Sequence, residues 1–219
     1  MKNKGNKYFW LAVGSFAAFA VWTFLVRFVD VQPIGPLASI VGFATVNGWF
    51  HNITGVHIEL YTLTDWLSMI PLGIVLWFAL LGLIQWIQRR SLGRGDPDIL
   101  LLGASYASVL LAYVLFEKIA VNYRPVLLDG YLEPSYPSST TMLVLCVMPT
   151  AVIQGKMRIR HQKWKMVFVW AMNIYSAAMV AGRLISGVHW LTDIIGGILL
   201  SCGVVLLYSA LCIRYRRMK

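Results

Sequence analysis

Apolar residues run along the chain in stretches of about 20, the length that carries a helix across a bilayer core of about 30 Å. The stretches that qualify lie at roughly 8 to 29, 66 to 87, 98 to 117, 138 to 154, 166 to 182 and 192 to 213. This pattern predicts an all-α fold, a bundle of six transmembrane helices. Lys2, Lys4 and Lys7 precede the first run, and Ala18-Phe19-Ala20 imitates a signal-peptide cleavage site. The apolar run nevertheless continues to Phe28, so an uncleaved span is expected. Between the first two runs, residues 30 to 65 are interrupted by Pro33, Gly35, Pro36, Gly42, Gly48 and Gly55. Such breaks predict one or two short helices lying along the membrane interface. No repeat, low-complexity tract or linker divides the chain, so residues 1–219 are read as one domain.

The polar positions between the runs set an orientation. With the N-terminus inside, the cytoplasmic segments hold Lys2, Lys4 and Lys7, then Arg89, Arg90 and Arg94, then Lys156, Arg158, Arg160, Lys163 and Lys165, and finally Arg214, Arg216, Arg217 and Lys219. These are 15 of the 19 basic residues, and the positive-inside rule therefore predicts that both termini are cytoplasmic. Arg27 ends the first helix, leaving Lys118, Arg124 and Arg183 as the cations of the outer loops. Seven of the nine acidic residues lie on that outer side. A short N-terminal tail and small size suggest a bacterial cytoplasmic membrane.

Composition agrees with the pattern: 58% of residues are hydrophobic, 13% are charged, and the mean hydropathy is +0.68. The formal charge of +10 is not a nucleic-acid signature, because the basic residues sit in short clusters between apolar runs and not along one soluble face. Cys146, Cys202 and Cys212 fall inside apolar runs without disulfide or zinc spacing, and read as small core residues. No P-loop, dinucleotide-binding glycine fingerprint or H-E-x-x-H motif is present.

Three outer stretches concentrate the chemistry: 118 to 125 (K-I-A-V-N-Y-R-P), 137 to 141 (P-S-S-T-T) and 182 to 193 (G-R-L-I-S-G-V-H-W-L-T-D). His189 and Asp193 are four apart, so on one helical face the carboxylate can hold one imidazole nitrogen protonated and free the other as nucleophile or base. Taken alone, that pair reads more readily as an interfacial cap of the helix entry. Ser138, Ser139 and Thr140 open an apolar run, where hydroxyls cap and free amides favour an anion; taken alone, they are simple caps. Arg124 and Arg183 carry forks that match phosphate oxygens, with Lys118 as a point charge, although each alone would serve as a headgroup anchor. Converging on one membrane face, the set makes a phosphate cradle beside a nucleophile.

In the order, spacing and membrane side of these three blocks, the chain resembles the type 2 phosphatidic acid phosphatase superfamily, whose signature is K-x6-R-P, P-S-G-H and S-R-x5-H-x3-D. The resemblance implies that His189 attacks phosphorus to form a phosphohistidine and that Asp193 orients it. It also implies that Arg124, Arg183 and Ser138 bind the phosphate. No cofactor or metal is implied, because arginines and amides neutralise the charge.

The departures are specific. Lys118 precedes Arg124 by five intervening residues, and Glu117 stands in the strict register. A shifted helix end or a looped-out residue would be needed for Lys118 to serve. Gly182 replaces the serine of the third block, and Thr140 replaces the histidine of the second, which in the family protonates the leaving group. A threonine hydroxyl is no general acid near neutral pH. The expected activity is hydrolysis of a lipid-linked phosphate or diphosphate on the outer face. The alternatives are a catalytically silent lipid-phosphate binder and a lipid phosphotransferase. Loss of the acid favours a diphosphate such as a polyprenyl diphosphate, unless His51, His57 or Glu59 folds over the pocket to supply the proton. The expected partners are this substrate and membrane lipids, with no nucleic acid.

Overall fold

The computed structural model describes residues 2–90 and 96–216. Arg94, Arg217 and Lys219 of the basic clusters lie outside the described residues, as do the side chains of Lys2 and Arg89. The described chain is helical: α1 (Lys2–Phe28), α2 (Ala44–Thr54), α3 (Ile58–Leu67), α4 (Met69–Arg89), α5 (Pro97–Ile119), α6 (Ser139–Arg158), α7 (Gln162–Ile185) and α8 (Leu191–Tyr215). Among the described residues, six helical stretches are long and apolar enough to cross a membrane, as the hydrophobic pattern predicts.

The second span begins earlier than its hydropathy indicates. It runs from Ile58 to Gln88, because α3 continues into α4 through Ser68, whose backbone stays helical (φ −63°, ψ −12°). Glu59, Thr62, Thr64 and Asp65 dilute the apolar pattern there, yet their helix is sound. The Thr64 hydroxyl bonds back to the carbonyls of Leu60 and Tyr61, which removes its cost in an apolar setting. Of the segment between the first two runs, only α2 remains as a short α-helix outside the spans.

α6 and α8 form the centre of the bundle, and α1, α5 and α7 pack around them. The most apolar window of α6 is 61% buried, against 11% for the first and second spans. Trp10, Leu76, Leu111 and Trp170 face outward with more than 60% of their surface exposed. Lipid as the surrounding solvent explains apolar side chains on the outside as well as inside. Within the core, Phe78, Ile99, Leu102 and Tyr208 make one cluster, and Val109, Met142, Cys146 and Leu200 another. Cys146 and Cys212 are buried, but Cys202 faces outward and is no core residue.

Glycines let the elements approach closely at the end opposite the termini, Gly197 and Gly187 among them. A Cβ at Gly197 of α8 would lie 3.1 Å from Thr141 and 3.2 Å from the Ser138 carbonyl, so the missing side chain lets α8 approach the first turn of α6. Gly187, at φ +68° between α7 and α8, passes so near the Gly55 carbonyl that a Cβ would sit 1.9 Å from it. That contact docks the α2–α3 turn onto the α7–α8 loop, and His57 N–H donates to Ser186 O at 2.9 Å beside it.

Candidate active site

The ends of α3, α5, α6, α7 and α8 opposite the termini converge with the 120–138 loop. His189 precedes α8 and is buried at 3% exposure. Arg124 Nη1 lies 3.2 Å from His189 Nε2. A guanidinium only donates, so Nε2 accepts and the ring proton belongs on Nδ1. Nδ1 faces Asp193 Oδ2 at 3.7 Å, longer than a hydrogen bond. Burial pushes the imidazole down to about pKa 4, with Asp193 opposing that shift and the charges of Arg124 and Arg183 adding to it. The ring is therefore neutral at ordinary pH, with its lone pair on Nε2.

Asp193 is wholly buried and heavily tethered. Its Oδ2 accepts from the Trp190 amide at 3.1 Å, which closes the N-terminus of α8, and its Oδ1 accepts from Asn122 Nδ2 at 3.3 Å. Asn122 also accepts from the Gly42 amide, and Asn47 joins the same network by donating to Thr192 Oγ1 and accepting from the Thr192 amide. These buried polar groups satisfy one another and fix α8 against the 30–55 segment. Trp190 completes the frame by donating its indole N–H to the Tyr123 carbonyl at 2.7 Å.

Arg124 stands on a loop folded back on itself, with Tyr123 paired against Pro134 and Leu128 against Tyr131. Its amide donates to Glu133 O at 2.9 Å, and its Nε donates to Glu133 Oε2 at 3.0 Å. Arg183, 3% exposed on the last turn of α7, donates from one nitrogen, Nη2, to both Asp65 Oδ1 and Thr140 Oγ1. Its guanidinium lies 4.6 Å from the ring centre of Tyr61, a cation–π contact that holds the plane of the fork. Each arginine is thus paired with a carboxylate.

Ser138 caps α6: its Oγ accepts from the Thr141 amide and, at 3.0 Å, from the Thr141 hydroxyl, while its own amide donates to Asp193 O. Ser139 and Thr140 follow in the first turn, whose leading amides lack helical acceptors.

Two adjoining cavities meet at this point. One is a polar chamber of about 170 Å³ lined by Glu117, Arg124, Glu133, Tyr136, Ser139 and His189, among others. The second is a groove of about 570 Å³ headed by Tyr61, Asp65, Arg124, Ser139, Thr140 and Arg183, and continued by apolar residues such as Leu72, Val75, Leu110 and Val147. Arg124, Ser139 and Tyr113 line both.

Of the residues singled out from the sequence, His189, Asp193, Arg124, Arg183, Ser138, Ser139 and Thr140 come together here. Lys118 does not. α5 stays regular to Ile119 and ends where Ala120 turns left-handed (φ 42°), so no residue is looped out, and Lys118 is exposed and lines neither cavity. Glu117, in the strict register, lines the polar chamber instead. The candidate acids of the 30–65 segment also stay outside both cavities. His51 packs its ring 5.4 Å from that of Trp190, and burial lowers its pKa. The His57 ring bonds to the Thr54 carbonyl, and Glu59 is exposed. Asn47, Tyr61, Asp65, Asn122 and Glu133 carry no motif that would single them out. Asn122 alone had a local signal, since it lies within the 118–125 block.

The family model of the PAP2 superfamily matches residues 92–217, more than half of the chain, and the protein belongs to that superfamily. It is a multi-pass membrane protein of that class. Among solved structures it is similar to the crystal structure of the first transmembrane PAP2 type phosphatidylglycerolphosphate phosphatase from Bacillus subtilis. The TM-score is 0.62 at 17% identity, over 94% of this chain and 97% of the other, a likeness of fold. No curated protein matches the sequence.

Proposed function

We propose that the protein hydrolyses a lipid-linked phosphate, preferring a diphosphate, on the non-cytoplasmic face of the membrane through a phosphohistidine at His189. The observation that carries this is a neutral, buried imidazole whose Nε2 meets Arg124 in a cavity adjoining an apolar groove. The groove gives a lipid chain an apolar bed, and its polar head, with Arg124, Arg183 and the first amides of α6, gives a phosphoryl group its counter-charge. A phosphate entering between the arginines takes N–H groups now spent on Glu133, Asp65, Thr140 and His189 Nε2. The imidazole lone pair then attacks phosphorus, and Asp193 stabilises the cation that develops on the ring once Nδ1 closes the present 3.7 Å.

The leaving group decides the substrate. A phosphate monoester expels an alkoxide, whose conjugate acid is about as weak as water, and the groove carries Thr140, whose hydroxyl is no general acid near neutral pH, where the family has histidine. A diphosphate expels a phosphate ester, whose second pKa is about 6, and needs little help. Purified protein in detergent, presented with a polyprenyl diphosphate, phosphatidate and phosphatidylglycerol phosphate, is expected to show the highest kcat/KM for the diphosphate. Preference for either monoester would refute the assignment. The loss of the acid at Thr140 also favours a second role, binding of lipid phosphate without turnover. That role would appear as saturable binding with no phosphate released from any of the three.

A further inference from the structure

A phosphohistidine must also be resolved, and the side chain that activates water for that step has to face the departing lipid. In-line displacement brings the nucleophile in on one side of phosphorus and sends the leaving group out on the other, and the water that follows enters by the leaving group's path. His189 lines the polar chamber and not the apolar groove, whereas Thr140 and Arg183 line the groove and not the chamber. The nucleophile's side and the lipid's side are thereby distinguished. Glu117 and Glu133 lie on the nucleophile's side. On the lipid's side, one carboxylate stands at the head of the groove. Asp65, with 58% of its side chain exposed, accepts from Arg183 Nη2 at 3.0 Å, and Thr140 Oγ1 accepts from the same nitrogen. Asp65 therefore sits across one Arg183 nitrogen from the residue that stands where the family's second-block histidine would be.

We propose that Asp65 is the general base that activates water to hydrolyse the phosphoenzyme, a role that rests on the phosphohistidine route above. In the first step the His189 Nε2–P bond forms as the P–O bond to the lipid monophosphate breaks, the electron pair leaving with that oxygen. In the second, water's oxygen bonds to phosphorus and its proton passes to an Asp65 carboxylate oxygen. The P–Nε2 bond breaks, its electron pair returns to Nε2, and the neutral imidazole is restored. Inorganic phosphate leaves, and Asp65 gives its proton to solvent through the groove. A base poised for the second step needs no proton in the first, which suits a diphosphate whose leaving group departs unprotonated.

The test is rapid-quench kinetics with a polyprenyl diphosphate labelled on its terminal phosphate, using full-length protein in detergent. Asp65→Asn keeps an oxygen for Arg183 but takes up no proton. It is expected to release about one equivalent of lipid monophosphate per enzyme in a burst, to accumulate alkali-stable, acid-labile label on His189, and to slow steady-state phosphate release about a hundredfold. Hydroxylamine, a nucleophile that needs no base, is expected to restore much of that turnover. If Asp65 merely positions Arg183, formation of the phosphoenzyme slows as well; loss of the burst with no accumulated label overturns the proposal. Asp65→Glu, which displaces the carboxylate by one methylene, gives the same measurement should the asparagine variant not fold. A retained burst with raised label supports the base role there too, and wild-type label with wild-type turnover overturns it. Undiminished turnover in His189→Ala would instead refute the phosphohistidine route itself, a failure separate from that of Asp65.

Discussion

Replacing Thr140 with histidine puts an imidazole where the superfamily's second block carries its acid, and the structure sets the expected size of the effect. Thr140 is only 6% exposed, but it lies at the head of the 570 Å³ groove, so a longer side chain has room on that side. The change removes the hydroxyl that accepts from Arg183, a loss of about 1 to 2 kcal/mol. It supplies a positioned general acid, worth about a hundredfold to ten-thousandfold when the leaving group is an alkoxide. The net is a gain of about 1 to 4 kcal/mol in the monoester transition state, or about fivefold to a thousandfold in kcat/KM. For a diphosphate, whose leaving group needs no proton, kcat/KM should stay level or fall by up to about thirtyfold through the weakened Arg183 contact. The assay is phosphate release from matched lipid monophosphate and diphosphate by wild type and Thr140→His in the same micelles. The reasoning is refuted if a folded Thr140→His protein that still processes the diphosphate gains nothing on the monophosphate, or if both substrates gain equally.

Arg124→Lys and Arg183→Lys should each lower kcat/KM by about a hundredfold or more, since lysine keeps the charge but loses the fork, whereas Lys118→Ala, outside both cavities, should stay near wild type; phosphate-release kinetics on the three variants check this. Because the buried His189 imidazole is held near pKa 4, below its ordinary 6.5, protonation should abolish the nucleophile only as pH falls toward 4, giving an acid limb of kcat/KM well below 6. The same shift makes stability decline as pH falls from 6.5 to 4, where the unfolded histidine binds a proton and the folded one does not; thermal unfolding in detergent should lose that slope in His189→Asn. A cysteine introduced between 156 and 165 should resist an impermeant reagent applied from the non-cytoplasmic side, whereas one at 129 should react.

The spans and the main catalytic candidates were legible because both are written in local spacing. Apolar runs marked five spans to within about four residues at each end, and His189 and Asp193 are so close in sequence that the turn into α8 brings them together even though His189 itself precedes the helix. The second span was truncated because Glu59, Thr64 and Asp65 look like loop residues until Thr64 satisfies itself on its own helix and Asp65 finds Arg183. The Asn47, Asn122 and Thr192 network was invisible for a related reason. Its members are separated by 70 or more residues and acquire meaning only when the 30–55 segment, the 120–138 loop and α8 meet. Glu117 and Lys118 illustrate a question of register: the sequence offered both, and the regular end of α5 directs the glutamate to the chamber.

The most direct measurement is transfer of labelled phosphate from a lipid diphosphate to the purified protein, with release of inorganic phosphate followed in the same samples for wild type and His189→Ala. Phosphohistidine chemistry predicts an acid-labile, alkali-stable label mapped to His189 and phosphate release that falls by about a thousandfold or more in the variant. Equal release by the two proteins, or label mapped to any other residue, would contradict it.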